Sequence, residues 1–189
     1  MLRPTLHSYL TEHGLYERTI TLKRGDFVHR AGQYDPRLYY VAAGTLRTYI
    51  ELEGRDQTMR FGYPGDFVVA LDSGISGGPT RFTTQALKKA ELRVVSGEAY
   101  REQIRRDPEF GDLWRTISHW MVLGGVERET DLLVQDPALR YRRVLERSPQ
   151  LFQEIPAKYI ADYLRMSPET LSRIRSAQNL DVDQESGSE

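Results

Sequence analysis

The chain has 189 residues, of which 26 are lysine or arginine and 27 are aspartate or glutamate, so that its formal net charge is −1. It contains no cysteine, which excludes disulfide bridges, thiolate metal sites and cysteine nucleophiles. No apolar run approaches the roughly 18 residues of a membrane span, and the first residues lack the apolar core of a signal peptide, so we expect a cytoplasmic location.

The N-terminal half has the pattern of a small antiparallel β-domain that follows a short amphipathic helix at residues 2–13. From Thr19 onwards, short apolar or alternating runs are separated by turn signals such as Pro64-Gly65-Asp66. Seven short strands at nearly regular spacing predict a sandwich or barrel. The predicted strands are 19–22, 38–42, 46–52, 58–63, 67–71, 82–87 and 92–95.

Helix signals replace strand signals after Ser96, which is a plausible N-cap for a short helix that ends near Arg106. Asp107-Pro108-Glu109 then supplies a cap, a proline at the first position and an acid in the first turn, and predicts a helix to about Val134. Apolar residues in this helix follow the 3-4-3-4 spacing of a dimer seam, although the same residues could pack inside their own subunit. The predicted seam is Phe110, Leu113, Ile117, Trp120 and Gly124.

Residues 157–176 have the pattern of a helix-turn-helix. Ala161 is small enough for two helices to cross closely, and Ser167 and Pro168 cap and begin the second helix. The turn position at Arg165 favours glycine, because it takes a positive φ. Arginine there costs about 1 kcal/mol, or the turn is built differently. A plain helical hairpin would share most of this pattern.

The charge of this region points to an anionic partner, since residues 137–178 carry eight basic and four acidic side chains. A recognition helix reads base edges with its N-terminal residues. Arginine suits guanine, and glutamate can accept a hydrogen bond from cytosine N4. The predicted base contacts are Glu169, Thr170 and Arg173, and the predicted phosphate contacts are Lys158 and Ser167.

Three blocks in this order resemble the cyclic-AMP receptor protein/fumarate-nitrate regulator (Crp/Fnr) family, in its short-tailed branch. They are L-Y-Y-V-A-A-G-T-L-R (38–47), P-G-D-F (64–67) and S-P-E-T-L-S-R-I (167–174). The resemblance covers residues 15–178 and implies an α+β fold with an antiparallel β-roll of the jelly-roll, cyclic-nucleotide-binding type. We expect the family's β-hairpin wing to be missing or vestigial. The segments we expect are a β-roll sensor at 1–106, a dimerisation helix at 107–135 and a helix-turn-helix domain at 136–178. The polar composition of residues 179–189 predicts a disordered tail.

The function that the resemblance implies is a homodimeric, DNA-binding transcription regulator without enzymatic activity or cofactor. Its implied partners are double-stranded DNA with a palindromic operator, a second copy of the chain, RNA polymerase and an unidentified small-molecule effector, but no membrane. Two alternatives stay open: a ligand-binding or interaction module of the same fold that does not bind DNA, and a metal-dependent small-barrel enzyme. The four histidines speak against the enzyme, because no two of them have metal-ligand spacing.

The sensor region departs from the cyclic-nucleotide binders of the family. Those proteins carry G-E-L soon after G-D-F, with a glutamate for the ribose hydroxyl, and then R-S, with an arginine for the cyclic phosphate. Aligned without a gap, this chain has Ala70 at the glutamate position and Thr80 at the arginine position. Arg81 is one place further on, and a one-residue shift turns a strand side chain to the opposite face. We therefore expect no cyclic-AMP binding, and we note Arg60 and Arg81 as candidates for another anionic ligand.

Overall fold

A computed structural model describes residues 3–185. The chain divides into two compact units, Met1–Leu123 and Gly124–Glu189, which are called here the sensor unit and the C-terminal unit. Within the described residues, no helix combines the length and the apolar character needed to cross a bilayer. The predicted α+β class with an antiparallel β-roll is confirmed, whereas the division into functional segments stays a prediction.

The sensor unit is built on two four-stranded antiparallel sheets. The strand orders are β1-β8-β3-β6 and β2-β7-β4-β5. The elements of the unit are α1 (Arg3–Glu12), β1 (Arg18–Leu22), β2 (Phe27–His29), β3 (Leu38–Ala43), β4 (Leu46–Leu52), β5 (Arg55–Gly62), β6 (Phe67–Val69), α2 (Leu71–Ser76), β7 (Thr83–Ala86), β8 (Ala90–Val95), α3 (Gly97–Arg106) and the first part of α4 (Pro108–Leu133).

Two turns show why the sequence folds in this way. Glu53 and Gly54 join β4 to β5 with φ values of 54° and 71°, which is the backbone of a tight hairpin turn. Gly44, in the quoted A-A-G-T-L-R block, has a φ of 88°, and a Cβ there would lie 2.3 Å from the carbonyl oxygen of Lys89. Only glycine fits this close approach, because any side chain would collide with backbone.

Apolar side chains form two clusters in the sensor unit. One lies between the sheets and includes Tyr39, Leu46 and Leu92. The other joins α1, α3 and α4, and Phe110 is part of it with none of its surface exposed. Leu113 and Ile117 pack against the same cluster. The prediction of a dimer seam is therefore corrected for Phe110, which is a core residue of its own unit because its side chain has no surface exposed for contact with a second chain. The seam as a whole stays a prediction.

Two short elements were not expected from the sequence. The strand β2 has three residues and an irregular register with β7, so it is too short to show an alternation. The helix α2 occupies residues for which the sequence predicts the end of a strand and a glycine-rich loop. It contains Gly74, which disfavours helix, and it ends at Gly77 in the left-handed conformation, with the N–H of Gly77 bonded to the carbonyl of Ser73.

The C-terminal unit is helical. It contains the end of α4, then α5 (Pro137–Arg147), α6 (Gln150–Glu154), α7 (Ala157–Tyr163) and α8 (Pro168–Glu185). The helix α8 continues through residues 179–185, for which the sequence predicts a disordered tail. No proline or glycine interrupts that stretch, so the backbone can remain helical. Residues 186–189 of the predicted tail lie outside the described residues. The buried apolar side chains of the unit are Tyr141, Val144, Leu151, Ile155, Ile160, Ala161, Leu164 and Leu171.

Candidate nucleic-acid interface and sensor site

The turn between α7 and α8 has the geometry of a helix-turn-helix. Ala161 is buried, and its carbonyl accepts the backbone N–H of Met166 at 3.0 Å, which closes the end of α7. Arg165 has a φ of 53°. The position therefore takes the left-handed conformation at which glycine is favoured, and the arginine bears the expected strain. Leu171 on the inner side of α8 is buried in the core.

Ser167 caps the N-terminus of α8. Its hydroxyl accepts the backbone N–H of Thr170 at 3.1 Å, as an N-cap side chain does. The pKa of Glu169 is lowered by its own backbone N–H and then by the Ser167 hydroxyl, so that the carboxylate is ionised at neutral pH. An ionised carboxylate at this position can accept a hydrogen bond from an amino group, such as that of cytosine.

The predicted base-contacting side chains lie on the outer side of α8. Glu169 and Arg173 are exposed, and Thr170 is half-buried. The Nη2 of Arg173 lies 3.4 Å from the Thr170 hydroxyl, so the guanidinium is held next to the helix N-terminus. Lys158, at the start of α7, is exposed with its ammonium group 4.5 Å from the ring of Tyr159. All these side chains are available to a ligand.

A network of charged side chains joins the end of α4 to α5. Asp131 is completely buried and pairs with the Nε of Arg143 at 3.1 Å and with Arg147. Arg128 stacks on the ring of Tyr163, 3.7 Å from its centroid, and donates to the carbonyl of that residue. Sequence patterns do not reveal this network, because charged residues are expected to be solvated.

Arg140 in α5 is a buried arginine that the sequence analysis missed. It is 7% exposed, and its guanidinium donates to the carbonyl oxygens of Val134 and Arg165. A signal was present in the sequence: Arg140 precedes the buried Val144 by four residues and therefore lies on the apolar face of α5.

In the sensor unit, the segment between β6 and β7 contains both departures from the cyclic-nucleotide binders. Ala70 is buried. Thr80 is also buried, and its hydroxyl donates to Oδ1 of Asp72 at 2.7 Å. Oδ2 of Asp72 accepts the backbone N–H of Arg81 at 2.8 Å. The carboxylate of Asp72 therefore accepts hydrogen bonds from the Thr80 hydroxyl and from the Arg81 backbone. No sequence pattern indicated this role of Asp72.

Arg60 and Arg81, the two arginines predicted to bind an anionic ligand, contact different parts of the sensor unit. The Arg81 side chain is 75% exposed, with its Nε 3.8 Å from Asp72. The Nη2 of Arg60 donates to the carbonyl of Met121 in α4 at 3.1 Å. No contact in the described residues brings Arg60 and Arg81 together. Within those residues there is also no group of three or more histidine, aspartate or glutamate side chains that could hold a metal ion.

The exposed side of α4 carries two residues of the predicted seam and further apolar side chains. Trp120 and Gly124 of that seam are exposed, and a Cβ on Gly124 would touch nothing within 4 Å. Other apolar side chains of the helix are exposed as well. They are Val122, Leu123, Val126, Leu132 and Leu133. Leu123, Val126 and Leu133 are spaced by three and seven residues, which places them on one face of a helix.

Comparisons with known proteins support this architecture. The cyclic nucleotide-binding domain family matches residues 19–107. FixK2 from Bradyrhizobium japonicum superimposes with a TM-score of 0.73 at 19% identity, over 87% of this chain and 85% of that protein. The c-di-GMP responsive global regulator CLP from Xanthomonas campestris gives 0.69 at 16% identity, over 92% of each chain. No curated protein sequence matches the chain significantly.

A third similar structure is that of a regulator whose family is known. TTHA1359 from Thermus thermophilus, a transcriptional regulator of the CRP/FNR family, has a TM-score of 0.64 and 18% identity over 87% of both chains. At such identities the likeness concerns the fold, and it extends to both units because most of the chain is covered. Residues 19–107 thus match the cyclic nucleotide-binding domain family, and the chain as a whole shares its fold with FixK2, CLP and TTHA1359.

Proposed function

We propose that the chain is a DNA-binding transcription regulator of the Crp/Fnr type, without enzymatic activity. The observation that carries the proposal is the α7–α8 motif, in which a left-handed turn at Arg165 and a buried Leu171 leave Glu169 and Arg173 exposed at the start of α8. The names of CLP and TTHA1359 describe regulators, and both resemble this chain over most of its length.

The contacts to DNA follow from the chemistry of the exposed side chains. The guanidinium of Arg173 can donate two hydrogen bonds to guanine, and Glu169 can accept one from cytosine. Thr170 supplies a hydroxyl group for a base edge. Lys158 supplies a charge, and Ser167 a hydroxyl group, for phosphate groups. Phosphate contacts fix the register of the protein on DNA, and base contacts discriminate between sequences.

The active form in this proposal is a parallel homodimer that meets along α4. The supporting observation is the exposed apolar face with Leu123, Val126 and Leu133. Isolated exposed leucines need no explanation, but several of them on one helical face are typical of an interface. A symmetric dimer presents two copies of α8 to a palindromic operator. A change in how the two α4 helices meet would then change the separation of the recognition helices.

The sensor unit in this proposal does not recognise cyclic AMP. A cyclic phosphate needs a positively charged partner, whereas Thr80 is neutral and its hydroxyl already donates to Asp72. The effector of the sensor is therefore expected to be another molecule or another protein.

The test of DNA binding is a selection from a random-sequence duplex library with the purified chain. We expect an enriched palindromic motif that binds about 10³-fold or more tightly than a scrambled duplex at physiological salt. The double variant Glu169→Ala/Arg173→Ala is the control, and it should lose the enrichment. Equal affinity for selected and scrambled duplexes would favour a module of the same fold that does not bind DNA.

A further inference from the structure

Arg140 makes contacts that are unusual for a buried charge. It lies in α5 with 7% of its surface exposed. Its Nη1 donates to the carbonyl of Val134 at 2.6 Å, and its Nη2 lies 3.4 Å from the carbonyl of Arg165. Among the described side chains, no carboxylate forms an ion pair with it, and its Nε has no hydrogen-bond partner.

Such a site is costly for a guanidinium. Burial of an unpaired charge is unfavourable, and an apolar side chain of similar volume is often better for stability alone. The neighbouring arginines Arg143 and Arg147 instead pair with the buried Asp131. We therefore explain the burial of Arg140 by the hydrogen bonds that its guanidinium donates to the carbonyl groups of Val134 and Arg165.

The two carbonyl groups belong to places where the backbone needs a partner. Val134 immediately follows the end of α4, where the last carbonyls of a helix lack intrahelical donors and carry partial negative charge. Arg165 is the left-handed residue of the turn between α7 and α8, with a φ of 53°. One guanidinium therefore joins the end of α4 to the turn that sets the direction of α8.

We propose that Arg140 is a positioning residue that fixes the helix-turn-helix turn against the end of α4. The proposal rests on the proposed function, because the purpose of this contact is to hold α8 in the orientation that reads bases. It predicts that loss of Arg140 affects discrimination between DNA sequences more than it affects general affinity for DNA.

The experiment compares Arg140→Met, which keeps the length of the side chain but removes its donors, with Arg140→Lys. Arg142→Met is the matched control, since Arg142 is an exposed arginine of the same helix. The first measurement is the ratio of affinities for the selected operator and a scrambled duplex at constant salt. We expect this ratio to fall about tenfold or more for Arg140→Met and by a smaller factor for Arg140→Lys. Arg142→Met should weaken both duplexes alike and leave the ratio unchanged.

The second measurement does not involve DNA. Amide hydrogen exchange of Arg165 and Met166, whose N–H groups bond to Asp162 and Ala161, reports on the turn itself. We expect faster exchange at these amides in Arg140→Met, with exchange in α6 unchanged, and wild-type exchange in Arg142→Met.

The outcomes separate the two proposals. A wild-type ratio and wild-type exchange in Arg140→Met would overturn the positioning role. If Arg140→Met does not fold, Arg140→Lys provides the decision, because full wild-type behaviour with a single ammonium group would also overturn it. If the wild type itself does not prefer any operator, the proposed function fails, whereas exchange at the turn still decides whether Arg140 holds it.

Discussion

At the scale of single residues, the sensor unit contains a buried polar group that holds several elements together. Asp35, with almost no exposed surface, accepts hydrogen bonds from the Nε of Arg37 at 2.6 Å and from the Tyr39 hydroxyl at 2.8 Å. Its Oδ2 lies 3.3 Å from the Nδ1 of His29, and the other ring nitrogen of His29 lies 3.0 Å from the Thr84 hydroxyl. A carboxylate in this position connects β2, β3 and β7.

The lowered pKa of Asp35 predicts how the free energy of unfolding depends on pH. Burial alone would raise this pKa, but the nearby His29 ring nitrogen and the hydrogen bonds from Arg37 and Tyr39 outweigh burial and lower it from 3.8 to about 2. Because the folded state favours the ionised form, the stabilisation of the fold by the Asp35 carboxylate is fully present above pH 4. It is lost as the pH falls through the interval from about 4 to 2, and amounts to about 2 kcal/mol.

Urea unfolding measured between pH 2 and pH 6, as a function of pH, checks this prediction. Asp35→Asn should remove the part of the pH dependence that falls in that interval and should lower the free energy of unfolding at neutral pH. Asp112→Asn, at an exposed carboxylate of α4, should leave the wild-type profile. Identical profiles for wild type and Asp35→Asn would show that this carboxylate does not carry the effect.

A second prediction at this scale concerns cyclic AMP. With Ala70 and Thr80 buried and Thr80 bonded to Asp72, titration calorimetry should show no saturable binding at micromolar concentrations. Thermal unfolding provides an independent check, since a ligand at 100 times its Kd stabilises a protein by about 2.7 kcal/mol. Cyclic AMP at millimolar concentration should therefore leave Tm unchanged, and a micromolar constant would contradict the prediction.

At the scale of elements, the sequence predicted the parts of the fold that have strong local signals. The strands β3 and β4 are found where alternation and turn residues place them, and α4 begins at Pro108 directly after its predicted cap. The short β2 and the glycine-containing α2 were not predicted, because their formation depends on pairing and packing in the folded chain.

The candidate sites were predictable to a similar extent. Exposure of Glu169 and Arg173 follows from the 3.6-residue period once Leu171 is placed inside. The exposed apolar face of α4 could not be predicted in this way, because the helix has two apolar stripes. One packs on the core around Phe110, and the other is exposed around Leu123. A single period cannot distinguish two stripes on the same helix. The role of Asp72 left no pattern in the sequence, because its hydrogen bonds to Thr80 and Arg81 form only in the folded chain. For Arg140, the only signal was its position on the apolar face of α5.

The exposed apolar stripe of α4 predicts the effect of a charged substitution on dimer formation. Leu123→Glu would place a charge in an apolar contact between two α4 helices, where it lacks a partner, and should therefore convert a dimer into monomers. Ile75→Glu, at an exposed apolar residue of α2, is the control and should remain dimeric.

Light scattering at micromolar concentration measures the mass of each variant. Ile117→Asp is informative as well, because Ile117 packs on the core of its own unit. This variant should lose thermal stability, whatever the state of association. A wild type that is monomeric under these conditions would contradict the dimer, and a dimeric Leu123→Glu would place the contact elsewhere.

At the scale of the whole molecule, a symmetric regulator binds an operator with two half-sites. In the proposed dimer, one α8 would read each half-site, so the centres of the half-sites should lie about one helical turn of DNA apart. In the proposed complex, a bidentate contact between Arg173 and guanine would contribute about 1–3 kcal/mol to base discrimination, and two half-sites would roughly double it if they are additive. Phosphate contacts, by contrast, contribute equally for every sequence.

Arg173→Ala and Lys158→Ala should therefore have different effects on the same operator. Arg173→Ala should relax the preference at one guanine in each half-site, because the base edge loses its two donors. Lys158→Ala should weaken binding to all duplexes alike and reduce the slope of log affinity against log salt by about one unit per lost phosphate contact. Competition binding with the selected operator and its single-base variants, at several salt concentrations, measures both effects. If Arg173→Ala keeps the full wild-type discrimination at every position, the Arg173 guanidinium contacts phosphate or solvent, and base recognition must come from other side chains of α8.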